Sequence, residues 1–318
     1  MKTAAITGGT GFIGSALARA LLANGYKVRI FTRRIPAGRL DNVEYAVVSF
    51  DDAATLRAAA GGADFIIHMA AVLFSRTRAG FDKANITGTA NLVKAVGGLS
   101  KPPSKLIYIS SLAAGGPSLS AAVPRDESMP DAPISGYGAS KLGGERALGE
   151  LPAALRRTIL LPPIVYGKNE FAVSKIAHMV RKGLMVNSGS SCGAFNFIYV
   201  DDLTAAIITA MENPATDGQT YYVCENRAYA WRTFIELLAG AMKVKMPLML
   251  DLPKGPLCAI GLIYKAVSWL GGTEPIFNLD KAKEGAAGNW TADPSKWERA
   301  TGWKTWTALE EGIKKTFS

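Results

Sequence analysis

The feature that most constrains this chain is a glycine-rich run near its start, Thr7-Gly8-Gly9-Thr10-Gly11-Phe12-Ile13-Gly14, set between an apolar β-rich stretch and a helical pattern. Glycines at 8, 11 and 14 let the backbone turn tightly, admit a diphosphate close to the main chain and bring the following helix down onto the strand. The helix N-terminus adds partial positive charge at the same place. Gly-rich turns also occur for purely structural reasons, so the pattern gains its meaning from the strand before it and the helical residues 15–23 behind it. Together they predict a dinucleotide cradle, to which Thr10, Phe12 and Ile13 also belong.

The rest of the first half continues that alternation. β-rich runs over 4–7, 28–32, 45–48, 65–69 and 106–110 are separated by helical segments, and most are apolar on both sides. Such runs predict a Rossmann-like α/β fold, a doubly wound parallel sheet with helices on both faces. A further strand over 158–161 precedes Pro162-Pro163, after which the alternation weakens. The expected organisation is a dinucleotide-binding domain over 1–160 and a smaller, mainly substrate-binding domain over 161–318. Stretches 221–224 and 234–242 are expected to return to the first sheet, interleaving the two.

Chemistry gathers in two places. Ser110-Ser111 ends one strand, and Tyr137-Gly138-Ala139-Ser140-Lys141 follows it. Tyr and Lys four apart share one helix face. The ammonium is expected to favour the phenolate, lowering a pKa of about 10, and so to make Tyr137 an acid or base near neutral pH. Alone, that spacing would read as an ordinary helix pair; here it stands in a βαβ chain behind a glycine-rich turn. At the end of the second strand, Thr32-Arg33-Arg34 sit where dinucleotide folds read the adenosine ribose. An acid there would repel a 2′-phosphate and Arg attracts it, so NADP(H) is expected over NAD(H), with a solvated loop pair as the alternative.

With its GxxGxxG spacing, serine-bearing strand and YxxxK in this order, the chain resembles the extended short-chain dehydrogenase/reductase family. The likeness continues towards the C-terminus. Leu161-Pro162-Pro163-Ile164-Val165-Tyr166-Gly167 is similar to that family's Arg-Pro-x-x-Val-Tyr-Gly segment, and Val200-Asp201-Asp202 to its Val-Asp-Asp segment. The resemblance implies that Ser111, Tyr137 and Lys141 are catalytic, that Asn85 supports them, and that Lys141 also holds the nicotinamide ribose. Ser111 is preferred because it opens a Ser-x-x-x-x-Gly run ending at Gly116; Ser110 is the alternative. It further implies Asp51 and Asp52 at the adenine, Ala70 and Ala71 beneath the dinucleotide, Pro163 beside it, and His68 as a support for the cofactor. A turn or helix cap is an equal reading for Asp51, and likewise a cap for Asn85.

Other classes are excluded by what the chain lacks. Cys192, Cys224 and Cys258 form no CxxC pair, and His68 and His178 are too few for a multi-histidine metal centre, so no metal is expected. The net charge of +10 is dispersed over 318 residues, which argues against a nucleic-acid partner. The apolar stretch 257–270 contains Lys265 and falls short of the ~20 residues that span a bilayer, so it is expected to cover a pocket or interface without stable membrane insertion. A reducing cytoplasm is the expected setting, a small molecule the expected partner, and a homodimer stays open. The reaction expected is hydride transfer between nicotinamide and a secondary alcohol or ketone. Leu161, where the family has Arg, weakens a nucleotide-sugar epimerase as the second reading. Leu112-Ala113 supply no acid for a dehydratase. The third reading, a non-catalytic cofactor-sensing regulator or assembly subunit, has loss of Tyr or Lys as its hallmark. Apolar Leu161 and Ile164 favour a lipophilic or uncharged carbonyl substrate.

Overall fold

The computed structural model describes residues 1–188, 193–252 and 279–317; Cys192, Cys258 and the apolar stretch 257–270 lie outside the described residues. Six strands come from the first half: β1 (Thr3–Thr7), β2 (Lys27–Thr32), β3 (Val43–Val47), β4 (Phe65–His68), β5 (Lys105–Ile109) and β6 (Arg156–Leu161). They pair in parallel in the order β6-β5-β4-β1-β2-β3. Every residue of β4 and β5 is buried, as strands covered on both faces require. Helices α1 (Phe12–Ala23), α2 (Ala53–Ala60), α3 (Arg78–Phe81) and α4 (Gly88–Gly97) alternate with these strands. One face buries Leu56, Leu92, Val96 and Tyr108; the other buries Ile6, Leu17, Leu21 and Ile67. The strand order reverses between β1 and β4, which opens a crevice at the carboxyl ends of those strands.

The helices α5 (Leu112–Gly115) and α6 (Gly136–Ala147) follow β5 and carry the Ser and Tyr–Lys motifs. Beyond β6, β7 (Ile164–Tyr166) leads to α7 (Phe171–Arg181), β8 (Leu184–Ser188), β9 (Ala194–Phe195), β10 (Phe197–Tyr199) and α8 (Val200–Glu212). The sheet's seventh strand, β11 (Thr220–Tyr222), lies against β6 with Tyr221 opposite Leu160. Buried Lys105 on β5 donates to Thr216 Oγ1 at 2.6 Å and ion-pairs with Asp217 at 2.5 Å, so polar residues just before β11 satisfy a cation in the first half. The remaining strands form three pairs: β7 with β10, β9 with β12 (Tyr229–Ala230), and β8 with β13 (Leu248–Leu252).

Residues 234–242 do not return to the sheet. Phe234, Ile235, Leu238 and Ala239 recur at helical spacing and form the buried side of α9 (Trp231–Ala241), which packs with Tyr166, Phe197 and Leu309 in a third cluster. Buried Asp202 on α8 accepts from the Thr307 amide at 3.0 Å and hydroxyl at 2.9 Å, fastening the last part of the chain to this cluster.

Candidate active site

The glycine turn closes the crevice from one side. Gly8 has φ +75°, and a Cβ there would come within 2.9 Å of the Ala70 amide nitrogen; a Cβ on Gly14 would run into the Gly8 carbonyl. The first and third glycines therefore seat the turn against the end of β4 and the helix against the turn. Gly11 donates to Gly8 O at 3.0 Å and stands at the N-cap of α1 without a side-chain cap, with no acid in the first turn. Bare helix N–H groups beside an exposed Thr10 and Gly11 fit a dinucleotide diphosphate. Thr32 donates to Arg34 O at 2.6 Å, bending the chain after β2 and leaving Arg33 and Arg34 exposed without an ion pair among the described residues. Asp51 pairs with Lys83 at 3.4 Å, whereas Asp52 caps α2 by accepting from Ala54 N at 2.9 Å and Thr55 N at 3.3 Å. Asp52 thus has a structural task that the sequence placed one residue earlier.

Behind Ala70 and Ala71 runs a buried proton chain. Thr7 Oγ1 accepts from the Met69 and Ala70 amides and lies 2.6 Å from His68 Nδ1; His68 Nε2 lies 2.9 Å from Thr89 Oγ1, which donates to Asn85 O at 2.7 Å. Because Thr89 uses its proton on Asn85, His68 Nε2 must donate and Nδ1 must accept. Burial, with the charge of Lys141 added to it, pushes the His68 pKa down to about 3, so the ring is a neutral brace. Asn85 sits in a π-helical turn, Asp82–Thr87, between α3 and α4. Its side chain clamps Val72 from both sides, accepting from Val72 N at 2.8 Å and donating to Val72 O at 3.0 Å, and it donates to Ser140 Oγ at 2.9 Å. Asn85 so ties the chain beyond β4 to the helix bearing Tyr137. Pro163 stands half-buried where β6 ends, next to Pro162, whose carbonyl accepts from Leu112 N at 2.9 Å.

The two serines separate. Ser111 caps α5, accepting from Ala113 N at 3.2 Å, and hydrogen-bonds the Tyr137 phenol. Buried Ser110 turns the other way and donates to the Glu145 carboxylate. Ser135 caps α6, and the Gly136 amide donates to Asp280 at 2.9 Å, so the helix Leu279–Ala287 from the second half lies over the start of α6. Lys141 Nζ is buried, donates to Ile109 O at 2.8 Å and sits 4.1 Å from the centre of the Tyr108 ring.

The expected lowering of the Tyr137 pKa does not occur. Burial raises it to about 12; the hydrogen bond from Ser111 opposes this and the Glu284 carboxylate adds to it. Helical spacing correctly put Lys141 on the same face, but the ammonium is spent on Ile109 O and the Tyr108 ring. Burial pushes Lys141 itself down to about 7, with Glu145 pulling the other way. Glu145, one turn further along α6, is raised to about 7 by burial and by Asp131, against the hydrogen bond from Ser110 and the charges of Lys141 and Arg146. Glu145 was not singled out in the sequence. The i, i+4, i+8 spacing of Tyr137, Lys141 and Glu145 on one helix face was the available signal. Among the described residues no cluster of metal-ligating side chains forms, and no helix is long and apolar enough to cross a membrane.

A family model described as "NAD dependent epimerase/dehydratase family" matches residues 4–224. The chain belongs to that family. It is 30% identical to ceramide reductase of Caulobacter vibrioides, over 94% of this chain and 95% of that protein. It is 25% identical, over 76% of this chain and 73% of the other, to a 4-hydroxy-2-methyl-3-oxo-4-farnesyl-3,4-dihydroquinoline-1-oxide ketoreductase of Stigmatella aurantiaca. The fold matches that of the UDP-glucose 4-epimerase of Thermotoga maritima with a TM-score of 0.78 at 23% identity, covering 99% of this chain and 97% of that one. This member of the NAD dependent epimerase/dehydratase family is therefore a nicotinamide-dependent enzyme with the parallel sheet of the extended short-chain dehydrogenase/reductases.

Proposed function

We propose that this enzyme reduces a lipophilic ketone with NADPH, using Tyr137 as the general acid. The observation that carries the reading is the meeting of the Ser111 and Tyr137 hydroxyls at the crevice end of β5, with Lys141 buried behind them on the same helix. Gly8, Gly11 and Gly14 with Thr10, Phe12 and Ile13 would hold the diphosphate, and Ala70, Ala71 and Pro163 would line its path. When bound, the nicotinamide supplies the hydride that adds to the carbonyl carbon. Ser111 donates a hydrogen bond to the carbonyl oxygen, and Tyr137 O–H gives that oxygen its proton, so ketone becomes secondary alcohol. A phenol with a pKa pushed up to about 12 is protonated at neutral pH, which favours the reductive direction. Lys141, buried behind the two hydroxyls, braces the helix that carries Tyr137, and solvent restores the proton that the phenol gives up. Arg33 and Arg34, exposed beyond β2, favour the 2′-phosphate of NADPH.

The substrate class draws support from the likeness to reductases whose names carry a ceramide and a farnesyl group, whereas Leu161 packs in the core with Tyr108 and Tyr222. The test is NADPH consumption with a long-chain ketone of oxidised-ceramide type, alongside thermal-shift screening of nucleotide sugars with cofactor present. Turnover of the long-chain ketone is expected. A response to UDP- or GDP-sugars alone would return the enzyme to the epimerases.

A further inference from the structure

The β8–β13 ribbon stands apart from the sheet and presents a face that nothing in the described chain covers. Its strands pair in parallel with Leu184 opposite Leu248 and Val186 opposite Leu250. Strand alternation puts these four side chains on one face, and their exposures of 44%, 64%, 37% and 43% leave that face open. The opposite face is the structural one: Met185 and Asn187 are buried there, and Asn187 donates to Asp251 at 2.7 Å and accepts from Trp231 Nε1 at 3.1 Å. Single exposed apolar residues are ordinary on a protein surface, whereas four paired on one strand face mark a contact.

The rim of the block is cationic. Arg181 and Lys182 lead into β8, Lys243 and Lys245 lead into β13, and all four are exposed. Leu248 N donates to Gly183 O at 2.9 Å, which sets the two connections side by side at one end of the ribbon. None of these four cations forms an ion pair among the described residues. The acid on the ribbon, Asp251, belongs to the other face.

We propose that this face docks on an anionic lipid bilayer, apolar side chains entering the interface and the four cations meeting the headgroups. A second copy of this chain would bring four further cations against these, so charge disfavours self-association through the same face. An anionic surface supplies the complementary sign and accepts apolar side chains at shallow depth. The inference stands on the ribbon alone and holds whichever substrate the enzyme takes.

The test is flotation of the full-length chain with vesicles of phosphatidylcholine alone, or of phosphatidylcholine mixed with phosphatidylglycerol. Binding is expected to the mixed vesicles only, and to weaken as salt rises. Replacing Lys182, Lys243 and Lys245 together with Gln should weaken it by roughly fivefold per charge. These exposed side chains can be changed without disturbing the core, so this arm does not depend on the fate of the leucine variants. The triple variant L184S/L248S/L250S should lose binding by at least about tenfold, with thermal melting and NADPH affinity unchanged. Equal binding to neutral vesicles, no binding to either, or a dimer in light scattering that the leucine substitutions dissolve would overturn the proposal.

Discussion

Replacing Glu145 with Gln removes the carboxylate set one helical turn beyond Lys141 while keeping the size of the side chain and a partner for Ser110. Residues four apart on a helix lie about 6 Å from one another. Two unit charges at that distance, at an effective dielectric of about 20, interact by about 3 kcal/mol, or roughly two pKa units. Glu145 is itself raised to about 7 and is only partly ionised at neutral pH, so about one unit of support for Lys141 is realistic. Lys141 stands at about 7 with that support; without it, only the Ile109 carbonyl and the Tyr108 ring are left to oppose burial. Its pKa should fall to roughly 6, and the protonated fraction at pH 7 from about one half to about one tenth. The assay is kcat/KM for NADPH-dependent reduction from about pH 5 to 9, with NADPH titration at each pH. Because the cationic form is the one required, the alkaline limb should move about one unit towards acid, and activity should be regained near pH 5. Superimposed profiles for variant and wild type, or a uniform loss at every pH, would refute the coupling between Glu145 and Lys141.

Tyr137→Phe should lower kcat by roughly 10²- to 10⁴-fold while NADPH still binds, since it removes the acid and keeps the ring; near wild-type single-turnover rates would exclude the role. Ser111→Ala should cost activity without altering cofactor affinity, whereas Ser110→Ala should leave Glu145 short of a hydrogen bond and shift the pH profile, which the same titrations would separate. Arg33→Ala with Arg34→Ala should weaken NADPH by about 10- to 150-fold and NADH little, as calorimetry would show. Gly14→Ala drives a methyl into the Gly8 carbonyl, and a loss of roughly 1–3 kcal/mol of stability, together with NADPH binding, should appear in thermal melts.

Much of this was legible because it rests on local spacing. The turn from Thr7 to Gly14, the serine pair ending β5 and the Tyr137–Lys141 face each follow from short-range backbone geometry, and the structure sets them around one crevice. Solvation was not legible. A Tyr beside a Lys reads as a lowered pKa only if the cation is free to face it, and nothing in the spacing discloses that Ile109 O and the Tyr108 ring engage Lys141. Glu145 was hidden for a related reason: a carboxylate on a helix reads as part of a solvated face until β5 is placed against it. The stretch 234–242 misled because a short apolar run does not declare its period, and Phe234 with Leu238 repeats at the helical one.

The seventh strand has a consequence for synthesis. Residues 1–160 hold the cradle, the serines and the Tyr–Lys pair, yet β6 gains its outer neighbour only with Thr220–Tyr222, and Lys105 its Thr216 and Asp217 partners only just before. About sixty residues separate the end of β6 from the start of β11, roughly 3–12 s of elongation. Throughout that interval Ile159, Leu160 and Leu161 form an open apolar edge, a template for pairing with any other nascent chain. A fragment cut at residue 160 would be frozen in that condition and should accumulate as aggregate, even though the motifs that make the enzyme recognisable are complete within it.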